Sequence, residues 1–393
     1  MRNITQEDAL FNNSPMKTEK FVNFIDKFNS SEFWPLSREY ARRVGLRLSM
    51  LAGDAEKAGE SAKRVAYYRK RGERVAGCAS TLHAKFCPDC AEHNITRAFL
   101  CHDRACPVCG TLRSARLAKR VSVAAKKAGG RFLHVILTIK NPPAGELKQS
   151  IKKLQTAFTK LMKFERMRGF SQGYVRALEV KPSDDGVTWH PHFHIFFRVE
   201  DSYFTSPLYL DQMELILLWN LALGVIRYIP PREEWLNLFA DPTFRARVHH
   251  QVRISVADVG GVAEVCKYIC KTQELLDMTM PMFREWIDAV RSVRLWTAGG
   301  ALKIKQSEVD EIDDVTDGAV NPDICVSCGA HMQEADLYCD SYGRYKMLNY
   351  EIDWDGFKRY NKMRRARERE EAKILAKQLD EERLQDAVMS SRM

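Results

Sequence analysis

Between residues 131 and 276 the apolar positions fall into regular periods. RFLHVILTIK (131–140) reads as a buried strand, Glu146 to Met167 as an amphipathic helix, and YVRALEVK (174–181) as a second strand. WHPHFHIFF (189–197) follows as a third strand. An apolar helix near 211–223, a strand in HQVRISVA and a helix in GGVAEVCKYICKTQELL complete the series. The order strand, helix, strand, strand, helix, strand, helix predicts an α+β, ferredoxin-like unit with a central antiparallel sheet and helices packed on one face. Residues 1–80 read as a basic, mainly helical N-terminal region. Residues 307–323 hold seven carboxylates and no basic residue, which predicts an exposed linker. The resulting division is 1–80, a cysteine-rich knuckle over 81–124, the α+β unit over 125–306, an acidic linker with a second cysteine cluster over 307–353, and a charged helical tail over 354–393.

The third strand carries the most unusual pattern. Strand side chains alternate, so His190, His192 and His194 share one face while Phe193, Ile195 and Phe197 point to the other. Burial accounts for the aromatic face. Imidazoles stacked on the other face each need partners for two ring nitrogens, and at strand spacing two of them can share a divalent cation. The bland alternative is a polar sheet face with incidental histidines. Between the second and third strands lies KPSDDGVT, and Asp-Gly favours the centre of a two-residue type I′ turn. With Asp185 and Gly186 at that centre, Glu179 lies opposite His192, and cross-strand partners share a face. Glu179 then joins His192 and His194 as a ligand set with open positions. This mixed nitrogen and oxygen set suits Mn²⁺ or Mg²⁺ acting on phosphate. His190, opposite Lys181, is the rival third ligand.

Downstream, AEVCKYICK places Glu264, Tyr268 and Lys271 on one helix face, with Lys267 on the adjoining edge. A phenol, with a pKa of about 10, attacks at neutral pH only when the electrophile is polarised or charge is stabilised nearby. A metal-bound phosphate meets the first condition, and Lys271 or Lys267 the second. The alternative is an ordinary amphipathic helix with a packed Tyr and a solvated Glu.

HPHFH, preceded by LHVILTIK and followed by KYICK, resembles the rolling-circle replication initiators of bacterial plasmids, the Rep proteins of the HUH endonuclease superfamily. The resemblance covers roughly residues 85–305, including RLWTAGG, with the motifs in the family's order. It implies that the α+β unit is an HUH nuclease domain in which His192 and His194 bind the divalent ion. Tyr268 would attack an origin phosphate, leaving a 5′-phosphotyrosyl link and a 3′-OH primer. Glu264, four residues before the single tyrosine, resembles the glutamate that activates water to end replication. Plasmid origin DNA, single-stranded or in a hairpin, is the implied substrate, with host helicase and DNA polymerase as implied partners.

The cysteines predict structural zinc. Cys87 and Cys90 in FCPDC, and Cys106 and Cys109 in CPVC, are two pairs at zinc-ribbon spacing, with Cys101, His93 or His102 as substitute ligands and Cys78 read as a buried thiol. LCHDRACPVC also resembles the cysteine-and-arginine segment upstream of the nuclease unit in plasmid initiators. The knuckle would present Arg104, Arg113, Arg116, Lys119 and Arg120 to a phosphate backbone; otherwise these are solvated charges. In CVSCGAHMQEADLYC, the residues Cys325, Cys328, Cys339 and His331 offer a second zinc site, or a tight cysteine pair without metal.

Composition agrees with an acidic partner. The 393 residues carry a net charge of +10, with a pI near 9.0. MRNITQEDAL lacks the regions of a signal peptide, and LILLWNLALGVI is too short to span a bilayer, so a cytoplasmic protein without a membrane partner is expected. In that reducing compartment, eleven cysteines favour metal sites and free thiols over disulfides. The mixed-charge tail suits an exposed helix or pairing with a second chain in a dimer. Two other functions fit parts of the pattern: an HUH relaxase or single-strand transposase, and a non-enzymatic zinc-dependent DNA-binding regulator.

Overall fold

The computed structural model describes residues 33–87, 93–249, 252–257, 261, 265–266, 273–305, 309, 323–325, 328–340 and 344–347. The elements used below are, in chain order, α1 (Phe33–Lys57), α2 (Ala62–Ala76), β1 (Thr81–Phe86), β2 (His93–Ala98), α3 (Pro107–Ala128), β3 (Arg131–Thr138), α4 (Leu147–Leu161), β4 (Gly173–Pro182), β5 (Trp189–Val199), α5 (Gln212–Leu223), β6 (Arg253–Ala257), α6 (Met280–Ala289), β7 (Trp296–Gly300), β8 (Gln333–Cys339) and β9 (Tyr345–Met347). The protein is a mixed α+β chain with two antiparallel sheets. The described residues divide into two compact units, one within 33–109 and 323–347 and one within 110–309.

In the first unit α1 and α2 form a helical hairpin whose backbones nearly touch. A Cβ on Gly45 would lie 2.5 Å from Ala76 N, so only glycine fits there. The sheet has the order β2-β1-β8-β9. β8 pairs with β1 from Thr81↔Tyr338 to Phe86↔Gln333. The second cysteine segment therefore shares a sheet with the first, where the sequence suggested two separate zones.

In the second unit the sheet order is β6-β3-β5-β4-β7. One face buries Phe193, Ile195 and Phe197, as the alternation predicts. Phe158 on α4 packs edge-on against Phe193 at 5.6 Å and Tyr174 at 5.3 Å. Truncating a buried ring of this kind costs about 3–5 kcal/mol. Arg176 lies on the same face with its guanidinium 4.1 Å from the Phe193 ring centre, and burial pulls its pKa down to about 10. Trp219 on α5 donates its indole N–H to Thr138 O at 2.7 Å, fixing α5 to β3. The other face is covered too. Leu117, Ala118, Val121 and Ala125 of α3 cluster with Val175, Ala177, Phe196, Val265, Cys266 and Trp296. This corrects the expectation of helices on one face alone, because the 81–124 segment supplies a helix whose apolar stripe needs a partner.

The helix expected over 146–167 is broken. α4 ends at Leu161, Phe164 takes an extended conformation, and a short helix Glu165–Phe170 follows with Met167 and Phe170 buried. Phe170 packs on Phe197 and Tyr203, contacts that a continuous helix would redirect. RLWTAGG becomes the edge strand β7. Among the described residues no helix is long and apolar enough to cross a membrane. The N-terminal 32 residues, the acidic stretch at 310–322 and the tail after 347 lie outside the described residues.

Candidate functional site

The β4–β5 hairpin sets the site. Glu179 pairs with His192 and Lys181 with His190, the register expected from a turn centred on Asp185 and Gly186. The turn itself differs. Only Gly186 of the two central residues has a positive φ, 68°, whereas type I′ needs both. Ser183 N–H donates to Thr188 O at 2.8 Å, and the Asp185 carboxylate accepts from Val187 N–H, Thr188 N–H and the Thr188 hydroxyl. The loop is longer by one residue on each side, so the pairing is unchanged.

On the α3-covered face the three side chains converge. His192 Nε2 lies 2.5 Å from Glu179 Oε2 and 2.9 Å from His194 Nε2, and His194 Nε2 lies 3.0 Å from Glu179 Oε2. Glu179, His192 and His194 are 3%, 5% and 3% exposed, so the three groups are largely withdrawn from bulk solvent. The His190 carbonyl fixes one ring proton of His192. A carbonyl can only accept, so His192 Nδ1, 3.1 Å from His190 O, carries a hydrogen, and the neutral ring's Nε2 presents a lone pair. His194 Nδ1 meets His134 Nε2 at 3.1 Å; with the hydrogen on Nδ1, His194 Nε2 also presents a lone pair.

Three acceptor atoms then face one point. A single proton bridges only one of these pairs, whereas a cation satisfies all three. Ligand atoms about 2.0–2.2 Å from a divalent ion sit about 3 Å apart at neighbouring coordination positions, close to the spacing here. The donor set therefore fits a divalent cation. His190 is not gathered into this group: its Nδ1 lies 2.8 Å from Asn141 Oδ1.

Two nearby residues escaped the sequence reading. His134 shares the face through β3–β5 pairing and stacks on His194, with ring centres 5.3 Å apart. Its position in a run read as merely apolar concealed it; pairing RFLHVILT antiparallel to the histidine strand would have revealed it. Arg253 is exposed and pairs with Ile136, which pairs with His194, putting a guanidinium in the same cross-strand row. Glu264, Lys267, Tyr268 and Lys271 lie outside the described residues. Val265 and Cys266, from the same segment, are buried in the cluster with Ala177 and Phe196, on the face that carries the triad.

The cysteines group differently from the sequence expectation. Cys106 and Cys109 join Cys78 and Cys101 rather than Cys87 and Cys90. All four are buried, with Cys109 Sγ 3.6 Å from Cys78 Sγ and 3.7 Å from Cys101 Sγ. Cys78, read as an isolated buried thiol, is thus a member of the cluster, and His102, exposed, is not. Tetrahedral ligation with Zn–S bonds of about 2.3 Å sets sulfurs about 3.8 Å apart, so the residues fit zinc. Contact with Cys106 lowers the Cys101 pKa, but its contacts with Cys109 and Cys78 and its burial raise it further, and burial raises that of Cys106. Four thiolates coexist here only with a cation. Asp103 N–H donates to Cys101 Sγ at 3.4 Å, and the Asp103 carboxylate takes a bidentate pair from Arg71 at 2.7 and 2.8 Å, tying α2 to the knuckle. Cys90 lies outside the described residues, and Cys87 sits instead with Cys325 and Cys328. Cys339 and His331 join neither cluster. Arg104 and Arg120 are exposed, while Arg113, Arg116 and Lys119 are half-buried.

A family model described as Replication protein, Rep_1, matches residues 92–324, more than half of the chain. The chain belongs to this family. As a Rep_1 chain it is a plasmid replication protein, and its relatives carry matching names. A "Protein rep" of Bacillus amyloliquefaciens is 27% identical over 62% of this chain and 74% of its own length. One from a Bacillus species is 28% identical over 53% of this chain and 69% of its own length. One from Lactiplantibacillus plantarum is 34% identical over 40% of this chain and 51% of its own length. No solved structure gives a significant match.

Proposed function

We propose that this chain is an HUH-type, metal-dependent endonuclease and strand transferase that starts rolling-circle replication by nicking one strand of a plasmid origin and later rejoins it. The observation that carries this reading is the convergence of Glu179, His192 and His194 at ligand distances on a buried sheet face of a Rep_1 chain. The chain order β3-α4-β4-β5-α5-β6, with β5 between β3 and β4, supports a ferredoxin-like nuclease unit.

Glu179, His192 and His194 would hold Mn²⁺ or Mg²⁺, which supplies polarisation of the scissile phosphate and offsets its developing charge. His190 O and His134 orient the two imidazoles. The Tyr268 hydroxyl attacks phosphorus; the tyrosyl O–P bond forms as the P–O3′ bond breaks, and the phenolic proton is balanced by the one the 3′ oxygen gains. One ester replaces another, so rejoining needs no nucleotide cofactor. Lys271 and Lys267 stabilise the phenolate, and Glu264 acts as the general base for the water that ends replication. Burial of Val265 and Cys266 on the triad's face supports the tyrosine segment working there. The 3′-OH is the primer for a host DNA polymerase acting with a host helicase. Arg104, Arg113, Arg116, Lys119 and Arg120 contact the DNA backbone, and zinc at Cys78, Cys101, Cys106 and Cys109 holds the knuckle rigid.

The test is strand cleavage. Full-length protein with Mn²⁺ is incubated with labelled single-stranded segments tiled across its own replicon and run on denaturing gels. The expected result is a protein-linked DNA band whose adduct peptide contains Tyr268 and which vanishes with chelator or in Tyr268→Phe. Folded protein that forms no adduct on any tile, yet binds the DNA, would refute the enzyme.

A further inference from the structure

We propose that Cys87, Cys325 and Cys328 form a second structural zinc site, which fastens the chain after residue 323 to the β1–β2 hairpin. The three sulfurs lie within 4.8 Å of one another, and Cys87 Sγ is 3.4 Å from Cys328 Sγ although 241 positions separate the residues. Each side of the site is shaped for ligation. Cys87 follows β1 directly, where Phe86 pairs with Gln333 at the start of β8. On the other side, Cys325 N–H donates to Ala330 O at 2.8 Å and Gly329 N–H to Cys325 O at 2.9 Å, closing a tight turn. Gly329 has a φ of 75°, which a residue with a Cβ rarely adopts, and Ile324 bridges to His331 beyond it. The Cys-x-x-Cys-Gly turn thus brings both thiols of its segment to the sulfur of Cys87.

The cysteine spacing in the sequence agrees with this grouping. Cys87-x-x-Cys90 and Cys325-x-x-Cys328 are two pairs of the spacing used by four-cysteine zinc sites. The three thiols of Cys87, Cys325 and Cys328 make up the site. Each ligating thiol gives up its proton to solvent, and the thiolates share the ion's charge. Lys85 forms an ion pair with Asp323, and its Nζ lies 4.0 Å from Glu334, so the same two segments are also joined by charge. A metal clip that closes so long a loop constrains the unfolded chain strongly. Its role is to hold β8, which carries β9 on its far edge, on β1, independently of the Cys78–Cys101–Cys106–Cys109 cluster and of the nuclease chemistry.

The test uses full-length, reduced, zinc-loaded protein and two readouts that involve no DNA. In the wild type, Cys328 is exposed, so a free thiol there would be alkylated at once. The site predicts that Cys87, Cys325 and Cys328 resist iodoacetamide together and become reactive together when zinc is chelated, as mapped by peptide mass spectrometry. Metal analysis should find one zinc per chain fewer in Cys328→Ser than in the wild type, and no loss in Cys339→Ser. Free-thiol reactivity of Cys328 in the zinc-loaded wild type, a Cys87–Cys328 disulfide under reducing purification, or an unchanged zinc count in folded Cys328→Ser would each overturn the site. If Cys328→Ser does not fold, the wild-type alkylation pattern decides.

Discussion

His134 offers a sensitive probe of the metal reading, because it touches a ligand without being one. Its Nε2 is 3.1 Å from His194 Nδ1, and the two rings stack with planes 20° apart. Replacing it with Phe keeps the stacked ring but removes the nitrogen that can accept a hydrogen from His194 Nδ1. His194 can then place its hydrogen on Nε2, where it blocks the lone pair. The lost hydrogen bond is worth about 0.5–1.5 kcal/mol. Loss of a partner behind a metal-bound histidine lowers metal affinity by about 10–100-fold, or about 1.4–2.7 kcal/mol. Calorimetric titration of apo protein with Mn²⁺ should therefore show His134→Phe weakened at least about tenfold, with His134→Gln, which retains an acceptor, lying between it and the wild type. Nicking by His134→Phe should recover as Mn²⁺ is raised. If His134→Phe binds Mn²⁺ within twofold of wild type, or if added metal leaves its nicking deficit intact, the role assigned to His134 is wrong.

Other residues yield further tests. Glu285 on α6 accepts from Gly145 N–H, Leu147 N–H and the Trp189 indole, each at 2.9 Å, so it joins α6 to the start of α4 and to the histidine strand. Glu285→Ala should lower unfolding stability by about 2–4 kcal/mol in urea titrations, and a change below 1 kcal/mol would show that these bonds add little. Arg253, exposed in the row of His194, should contact the DNA phosphates; Arg253→Ala should weaken single-strand binding and reduce its salt dependence by about one counterion. An unchanged salt slope would remove it from the interface.

The hairpin was legible because its determinants are local. The Asp185–Gly186 pair fixes the centre of the turn, and a connection lengthened equally on both sides keeps Glu179 opposite His192 even though the turn type differs. The α+β order as far as β6 was legible from periodicity for the same reason, while most of the helix expected in GGVAEVCKYICKTQELL lies outside the described residues. The cysteine groups were not, because spacing reports only close pairs: Cys78 reaches Cys109 across 31 positions, and Cys87 reaches Cys328 across 241. Those pairings depend on the α1–α2 hairpin and on β8 returning to β1, contacts that no local pattern encodes. The break at Phe164 was hidden similarly, since neither proline nor glycine marks it, and the burial of Met167 and Phe170 accompanies it. His134 became visible only when β3 was paired with β5.

Under the proposed function, DNA nicking depends on Glu179, His192 and His194 acting together. The most direct measurement is covalent adduct formation on the cleaved origin segment by wild type, Glu179→Gln and His192→Ala across a Mn²⁺ series, with folding checked by circular dichroism. That dependence requires a wild-type adduct that saturates with Mn²⁺, and folded variants that form little or none at the same metal concentration. Adduct formation by His192→Ala at the wild-type rate and with the wild-type metal dependence would contradict it.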